Sequence, residues 1–357
     1  MNDSFISNYM KAAIEEAKKG QGFANPNPLV GAVLVKNGKI IGTGFHEKFG
    51  TLHAERNAIK NAVSLSGDKK ICNGASLFVT LEPCCHSGKQ PPCTDAIIEN
   101  KIKEVYIGSK DPNPLVNGKG VSILREHGIK VFEGILQAEC DELNPFFFHF
   151  IKTKTPYIIL KYAMSMNGTS IIKNKNKRIS SDDSIKEVHK TRTAVMGIMA
   201  SAQTVNTDDS LLTARHKENC HQPARIILDK NLKLKLNRKI LKTADISPLI
   251  IFYNKEKHFK IKKLRALNIQ LIKVPLKKRH LDLKAVFSIL GQMNFDSILL
   301  ESSGKLAEAV IQENIVNKIQ VYIGSNFITD SFRKEMCVKP DARLFGNDAF
   351  LEYNLGK

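Results

Sequence analysis

The chain has 357 residues, 42% of them hydrophobic and 25% charged, with a formal net charge of +19. One core stops growing near ~250–300 residues, so this length predicts two domains, and the composition is that of a globular protein. No apolar run approaches the ~20 residues that span a bilayer, and "MNDSFISNYMKAAIEEAKKG" carries acids where a signal peptide needs a continuous apolar segment. A cytoplasmic, soluble protein with no membrane partner is expected.

The elements follow in order. Tyr9, Met10, Ala13, Ile14 and Ala17 recur at helical spacing over residues 4 to 19, with Gly20 as a stop. "LVGAVLVKNGKIIGTGF" reads as a hairpin about Asn37-Gly38, a pair that accepts the left-handed type I′ turn. A helix from about Ala54 to Val63, a buried strand "ASLFVTL", a helix opening at Cys93, strand "KEVYIGS", helix "GVSILREHG" and strand "IKVFEG" come next. Strands alternating with helices imply a mostly parallel sheet covered on both faces. "DELNPFFFHFIKTKTP" reads as the junction, giving domains 1–147 and 148–357. The second α/β pattern runs through strand 157–165, strand "TAVMGIM", strands "ARIILD" and "PLIIFY", helix 281–291, strand "DSILLES", helix 304–312 and strand "IQVYIG".

The basic runs "KNKNKR", "LKLKLNRKILK" and "LKKRH" lie far apart and read as solvated faces, whose field also suits an anionic small substrate. Seven cysteines, an odd number in a long chain without an export signal, argue against a disulfide framework. Cys84 and Cys93 are expected to hold a metal with His53 of "TLHAERNAI"; adjacent Cys85 should point away and pack. One imidazole and two thiolates leave a catalytic zinc near charge-neutral with a fourth position for water, which then loses a proton near neutral pH. Glu55, two residues after His53, is placed to move protons from that water to a leaving amine. A helix start at Cys93 favours thiolate over thiol. H-x-E alone is weak. Joined to P-C thirty residues on and to a helix-opening Cys it matches the base-deaminase pattern, with a longer cysteine spacing here.

"NPNPLVGAVLV", "HAE", "LEPCCHSGKQPPC" and "DPNP" followed by "GKG" resemble the bifunctional deaminase–reductases of riboflavin biosynthesis over essentially the whole chain, most densely in residues 20 to 120. The resemblance implies a cytidine-deaminase-like α/β/α sandwich followed by a dihydrofolate-reductase-like α/β domain. It implies zinc and NADPH as cofactors and a homo-oligomer, dimer or tetramer, through the second domain. The implied substrate is a diaminopyrimidinone bearing a ribosylamino 5′-phosphate, contacted by Asn27, His46, His86 and Lys89. Hydrolysis of its amino group is followed by reduction of the ribosyl to a ribityl chain. In the second half Lys161, Arg192, Leu212, Arg215 and Glu301 fall on substrate positions. Ala163, Arg178, Thr204, Asp208, Ser303 and Gly304 fall on cofactor positions.

The chain departs from the family where L-D-G-[RK] becomes Met166-Asn167-Gly168-Thr169, where Arg178 replaces a Trp, and where the glycine-rich turn is Ser302-Ser303-Gly304-Lys305. Two readings stay open: a working reductase, or a decayed domain that docks or dimerises while the deaminase acts. A tRNA deaminase is the runner-up enzyme. It would need a basic groove and stacking aromatics around the metal, which the first half does not concentrate.

Overall fold

The computed structural model describes residues 3–87, 90–170, 179–216, 220–328, 333–335, 341–345 and 348–352. Two compact units emerge. The first holds residues 1–157, 193–196 and 284–297; the second holds 158–192, 197–283 and 298–357.

The first unit begins with α1 (Asp3–Lys18), β1 (Gly31–Lys36), β2 (Lys39–Phe45), α2 (Ala54–Ser66), β3 (Ser76–Leu81) and α3 (Cys93–Glu99). It continues through β4 (Glu104–Ser109), α4 (Lys119–Glu126), β5 (Lys130–Phe132), α5 (Gln137–Leu143) and α6 (Pro145–Thr153). The strand order is β2-β1-β3-β4-β5. β1 runs antiparallel to both neighbours, and β3, β4 and β5 are parallel. Asn37 and Gly38 both take positive φ, at 50° and 73°, as the hairpin turn requires.

Period-two alternation sends the strand residues to two cores. Leu34, Leu77, Val79, Val105 and Ile107 meet α2, α3 and α4 on one face. Val33, Val35, Phe78 and Tyr106 meet α1 and α5 on the other. This is an α/β/α sandwich. Ala54, Ala58 and Ala62, four residues apart, let α2 lie almost on β2. A Cβ at Gly44 would sit 2.3 Å from the Ala58 nitrogen, and one at Gly42 2.6 Å from the Ala58 oxygen. That close seating fixes where α2 begins.

The second unit starts with β6 (Tyr157–Ser165), α7 (Asp182–Ala194), β7 (Gly197–Ser201), α8 (Ala202–Asp208), β8 (Ala224–Leu228), α9 (Lys239–Lys242) and β9 (Leu249–Tyr253). Then come α10 (His258–Arg265), β10 (Gln270–Lys273), the small hairpin β11 (Leu276–Lys277) and β12 (His280–Leu281), α11 (Leu283–Gln292), β13 (Ser297–Glu301), α12 (Lys305–Gln312) and β14 (Lys318–Gly324). Seven strands form one sheet in the order β10-β9-β8-β7-β13-β6-β14. β8 and β9 are buried along their whole length and apolar except for Arg225 and Tyr253, as expected of central strands covered on both faces. From Lys284 onward α11 belongs to the first unit, although it follows β12 in the chain.

The strand expected over "TAVMGIM" starts only at Gly197. Thr193 and Ala194 finish α7, whose buried Val188 and His189 continue a helical face to Arg192. Tertiary burial of that face outweighs the β-branched run. α8 and α10, absent from the sequence reading, are short and dominated by polar or basic residues.

Candidate active sites

His53 is the residue capping α2, in extended conformation, and Cys93 is the first residue of α3. Cys84 lies just beyond β3. His53 Nδ1 is 3.4 Å from the sulfur of Cys84 and 3.4 Å from that of Cys93. All three donor atoms lie within 4.8 Å of one another. A tetrahedral zinc with bonds of about 2.0 Å to nitrogen and about 2.3 Å to sulfur needs nitrogen–sulfur edges of about 3.5 Å, so the donor set fits the ion. The Cys93 N–H donates to the Cys84 carbonyl at 3.0 Å and to its sulfur at 3.4 Å. Arg56 holds the preceding turn by donating to the carbonyls of Pro92 (2.6 Å) and Pro91 (3.3 Å).

The electrostatics suit a cation. The Cys84 thiol is held down at about 4, first by the hydrogen bond from Cys93 and then by His53. That same bond, with burial, pushes Cys93 well up. Two sulfurs this close cannot both ionise without positive charge between them. His53 is raised by its hydrogen bond to Cys84. Glu55, 3% exposed in the first turn of α2, is raised by burial and then by the Cys84 charge. Cys85 turns aside, its sulfur 3.6 Å from the Leu115 carbonyl.

A cavity of about 250 Å³ opens over these groups, lined by Asn27, His46, His53, Glu55, Cys84 and His86 among others. His46 Nδ1 lies 3.1 Å from the Leu52 carbonyl, so it carries the proton and Nε2 accepts from the Asn27 amide at 3.1 Å. Burial lowers the His46 pKa and keeps the ring neutral. The Asn27 side-chain oxygen is then left to read a ligand. Lys89 lies outside the described residues.

Two lining residues carry no functional signal in the sequence. Phe49 and Phe147, the latter from α6, give the cavity aromatic walls. Asp111 is 7% exposed and pushed up to about 6, chiefly by burial. Glu82, beside Pro83-Cys84, accepts the Gly118 N–H at 2.9 and 3.0 Å and organises the loop that carries Asp111 and Asn113. Glu82 belongs to the LEPC motif, but its backbone donors lie 36 residues away and are a tertiary fact.

In the second unit, Arg192 forks onto Glu301 at 2.6 and 2.8 Å and reaches the Thr213 carbonyl at 2.9 Å. Burial raises the Glu301 carboxyl, but Arg192, with smaller help from Lys161 and His189, outweighs it and the pKa falls below the ordinary value. The Arg215 N–H donates to His189 Nδ1 (3.1 Å), and its guanidinium donates to the Thr213 hydroxyl (2.7 Å). Leu212 is buried at φ 53°, turning the chain toward Arg215. Lys161, Arg192, Arg215 and Glu301 thus form one charged cluster, with His189 as an unforeseen member. Ala163 lies on β6 opposite Tyr322. Thr204 lies in the first turn of α8, its N–H donating to the capping Ser201 hydroxyl at 3.1 Å, and Asp208 ends that helix.

The departures are accommodated by the backbone. Asn167 accepts the Ser165 hydroxyl at 2.8 Å in a turn where Gly168 has φ 81°. Gly304 has φ 65° and ψ −140°, a glycine conformation, directly before α12. The turn Ser302–Gly304 and the free N–H groups opening α12 make a cradle for a phosphate, and so fit a dinucleotide. Arg178 lies outside the described residues.

Residues 3–109 match the model of the cytidine and deoxycytidylate deaminase zinc-binding region, and residues 156–341 match that of the RibD C-terminal domain. The riboflavin biosynthesis protein RibD of Actinobacillus pleuropneumoniae is 41% identical over 90% of this chain and 84% of its own. The chain belongs to the RibD family. Aquifex aeolicus RibD is 40% identical over 88% of this chain and 86% of its own. Acinetobacter baumannii RibD superposes with a TM-score of 0.82 at 31% identity, covering 98% of each chain. The Thermotoga maritima diaminohydroxyphosphoribosylaminopyrimidine deaminase/5-amino-6-(5-phosphoribosylamino)uracil reductase does so with 0.79 at 33%, again over 98% of each. Family membership makes the chain a bifunctional enzyme of riboflavin biosynthesis, a zinc-dependent hydrolase joined to an NADPH-dependent reductase that acts on a small molecule. Among the described residues no helix is long and apolar enough to cross a membrane.

Proposed function

We propose that the first domain, 1–147, deaminates 2,5-diamino-6-(5-phosphoribosylamino)pyrimidin-4(3H)-one, and that the second, 148–357, reduces the product's ribosyl group to ribityl. The observation that carries the first step is the triangle of His53, Cys84 and Cys93 beside a buried, uncoordinated Glu55. Zinc held by those three residues supplies a Lewis acid and an acidified water. Glu55 takes a proton from water and passes protons to the ring nitrogen and the leaving amine, so that C–NH2 and water become C=O and ammonia. A neutral His46 holds the Asn27 amide with its oxygen toward the ring's N–H groups. His86 and Lys89 read the ribose phosphate end.

For the second step, Glu301 neutralises Arg192 and fixes its plane. Arg215 and Lys161 keep positive charge for the sugar phosphate. Thr204, Asp208, Ser303 and Gly304, with Ala163 and Arg178, would hold NADPH, which supplies a hydride for carbon 1 of the ribose. The ordered Arg192–Glu301 fork and the glycine turn before α12 favour a working reductase over a decayed one. We place the enzyme in the cytoplasm as a homo-oligomer that engages neither nucleic acid nor membrane.

The test offers the full-length protein the diaminopyrimidine nucleotide with and without NADPH. Ammonia release and NADPH oxidation are both expected. Ammonia alone would select the decayed domain. Activity on tRNA and none on the nucleotide would overturn the substrate assignment.

A further inference from the structure

Asp296 is the residue that no step above uses. It is 1% exposed, just before β13, in the segment 284–297 that belongs to the first unit. One carboxylate oxygen accepts the Asn25 amide at 2.7 Å, across 271 residues of chain. The other accepts the Ser297 hydroxyl at 2.5 Å, and that hydroxyl accepts the Met196 N–H at 3.1 Å. The Asp296 carbonyl accepts the Tyr157 N–H at 2.7 Å. An acid held this way is costly; burial lifts it to about 6.

The cost is spent beside the deaminase cavity. Asn25 stands two residues before Asn27, whose amide donates to His46, whose ring donates to the Leu52 carbonyl, the residue before His53. At the other end of the same loop, Asn144 pins Leu29 through a pair of bonds, accepting its N–H at 2.7 Å and donating to its carbonyl at 2.9 Å. Between these two anchors, residues 26 to 28 have no strand or helix to hold them. Asp296 is thus one hold on the loop that presents Asn27, beside Asn144 and the Asn27 N–H that donates to the Ala24 carbonyl at 3.0 Å.

We infer that Asp296, which lies within the region matched to the reductase family model, is a positioning residue for the deaminase: through Asn25 it sets the Asn27 amide against the substrate ring. The inference rests on the reading of Asn27 as a substrate contact. A residue acting this way governs ground-state binding, so its loss raises KM and leaves kcat, which depends on Glu55 and the metal ligands.

The test uses full-length protein and steady-state ammonia release. Asp296→Ala and Asn25→Ala are each expected to raise the deaminase KM about tenfold, the value of one buried charge-assisted hydrogen bond, with kcat within about twofold. The double variant is expected to match either single one, since both remove the same bond. Asp296→Asn, which keeps an acceptor for Asn25, should restore most of the loss. Zinc content and NADPH oxidation should not move. Wild-type KM in Asp296→Ala, multiplicative effects in the double variant, or failure of Asp296→Asn to rescue would each overturn the inference. If Asp296→Ala does not fold, Asn25→Ala reads the same contact, and an unchanged KM there is decisive against it. Asn27→Ala separates the two layers. Unchanged KM in Asn27→Ala refutes the substrate contact itself, whereas a raised KM there with normal Asn25→Ala refutes only the clamp.

Discussion

Replacing Glu55 by Gln tests the deaminase chemistry at its centre. The substitution keeps size and shape, so α2 should still begin at the same point and His53 should still face the two sulfurs. It removes the group that carries protons. A positioned acid–base residue contributes about 10²–10⁴ in rate. Glu55 is 3% exposed and largely shielded from bulk solvent, so the loss belongs at the upper end. About 10³–10⁴ in kcat corresponds to about 4–5 kcal/mol at 1.36 kcal/mol per decade. Folding should be unharmed or slightly favoured, because burial disfavours the ionised carboxylate that the amide replaces. The measurements are ammonia release under saturating nucleotide and bound zinc by elemental analysis. Turnover within tenfold of wild type with full zinc would refute Glu55 as the proton carrier. Loss of zinc would refute its place outside the coordination sphere.

Three further outcomes are expected. Chelation of zinc should abolish ammonia release while NADPH oxidation, measured on the deaminated nucleotide, continues; parallel loss of both activities would contradict separate sites. Gly44→Ala should destabilise the first unit by about 1–3 kcal/mol in urea melts, since its Cβ meets rigid backbone of α2 at 2.3 and 2.5 Å. His189→Asn should flatten the acid limb of stability. Burial, then Arg192 and Arg215, lower the His189 pKa to about 4, so its contribution is complete above the unfolded value near 6.5 and is lost as pH falls from there toward 4. Melting temperatures of the two proteins should therefore diverge over that window, and parallel curves would refute the assignment.

Much of the deaminase site was legible because its chemistry is local in sequence or marked by scarce residue types. His53 and Glu55 sit at one helix start, Cys93 at another, and Cys84 after a strand whose apolar run announces it. The triangle of His53, Cys84 and Cys93 needs only that α2 and α3 open toward the same sheet end, and a mixed α/β order makes that the expected arrangement. In the second half the charged partners were nameable only through family resemblance. Arg192 and Glu301 are 109 residues apart and share no motif.

By itself the sequence pointed to an α/β chain, the hairpin at Asn37-Gly38, and the grouping of His53, Cys84 and Cys93 with a carboxylate beside them, because periodicity, turn chemistry and metal-ligand spacing are properties of neighbouring residues. Only the tertiary structure decided that Phe147 walls the cavity, that Glu82 gathers the N–H groups of a distant loop, that His189 accepts from Arg215, and that Asp296 grips Asn25. Each of these depends on where buried polar groups find partners once water is excluded, and that is settled by packing across the whole chain.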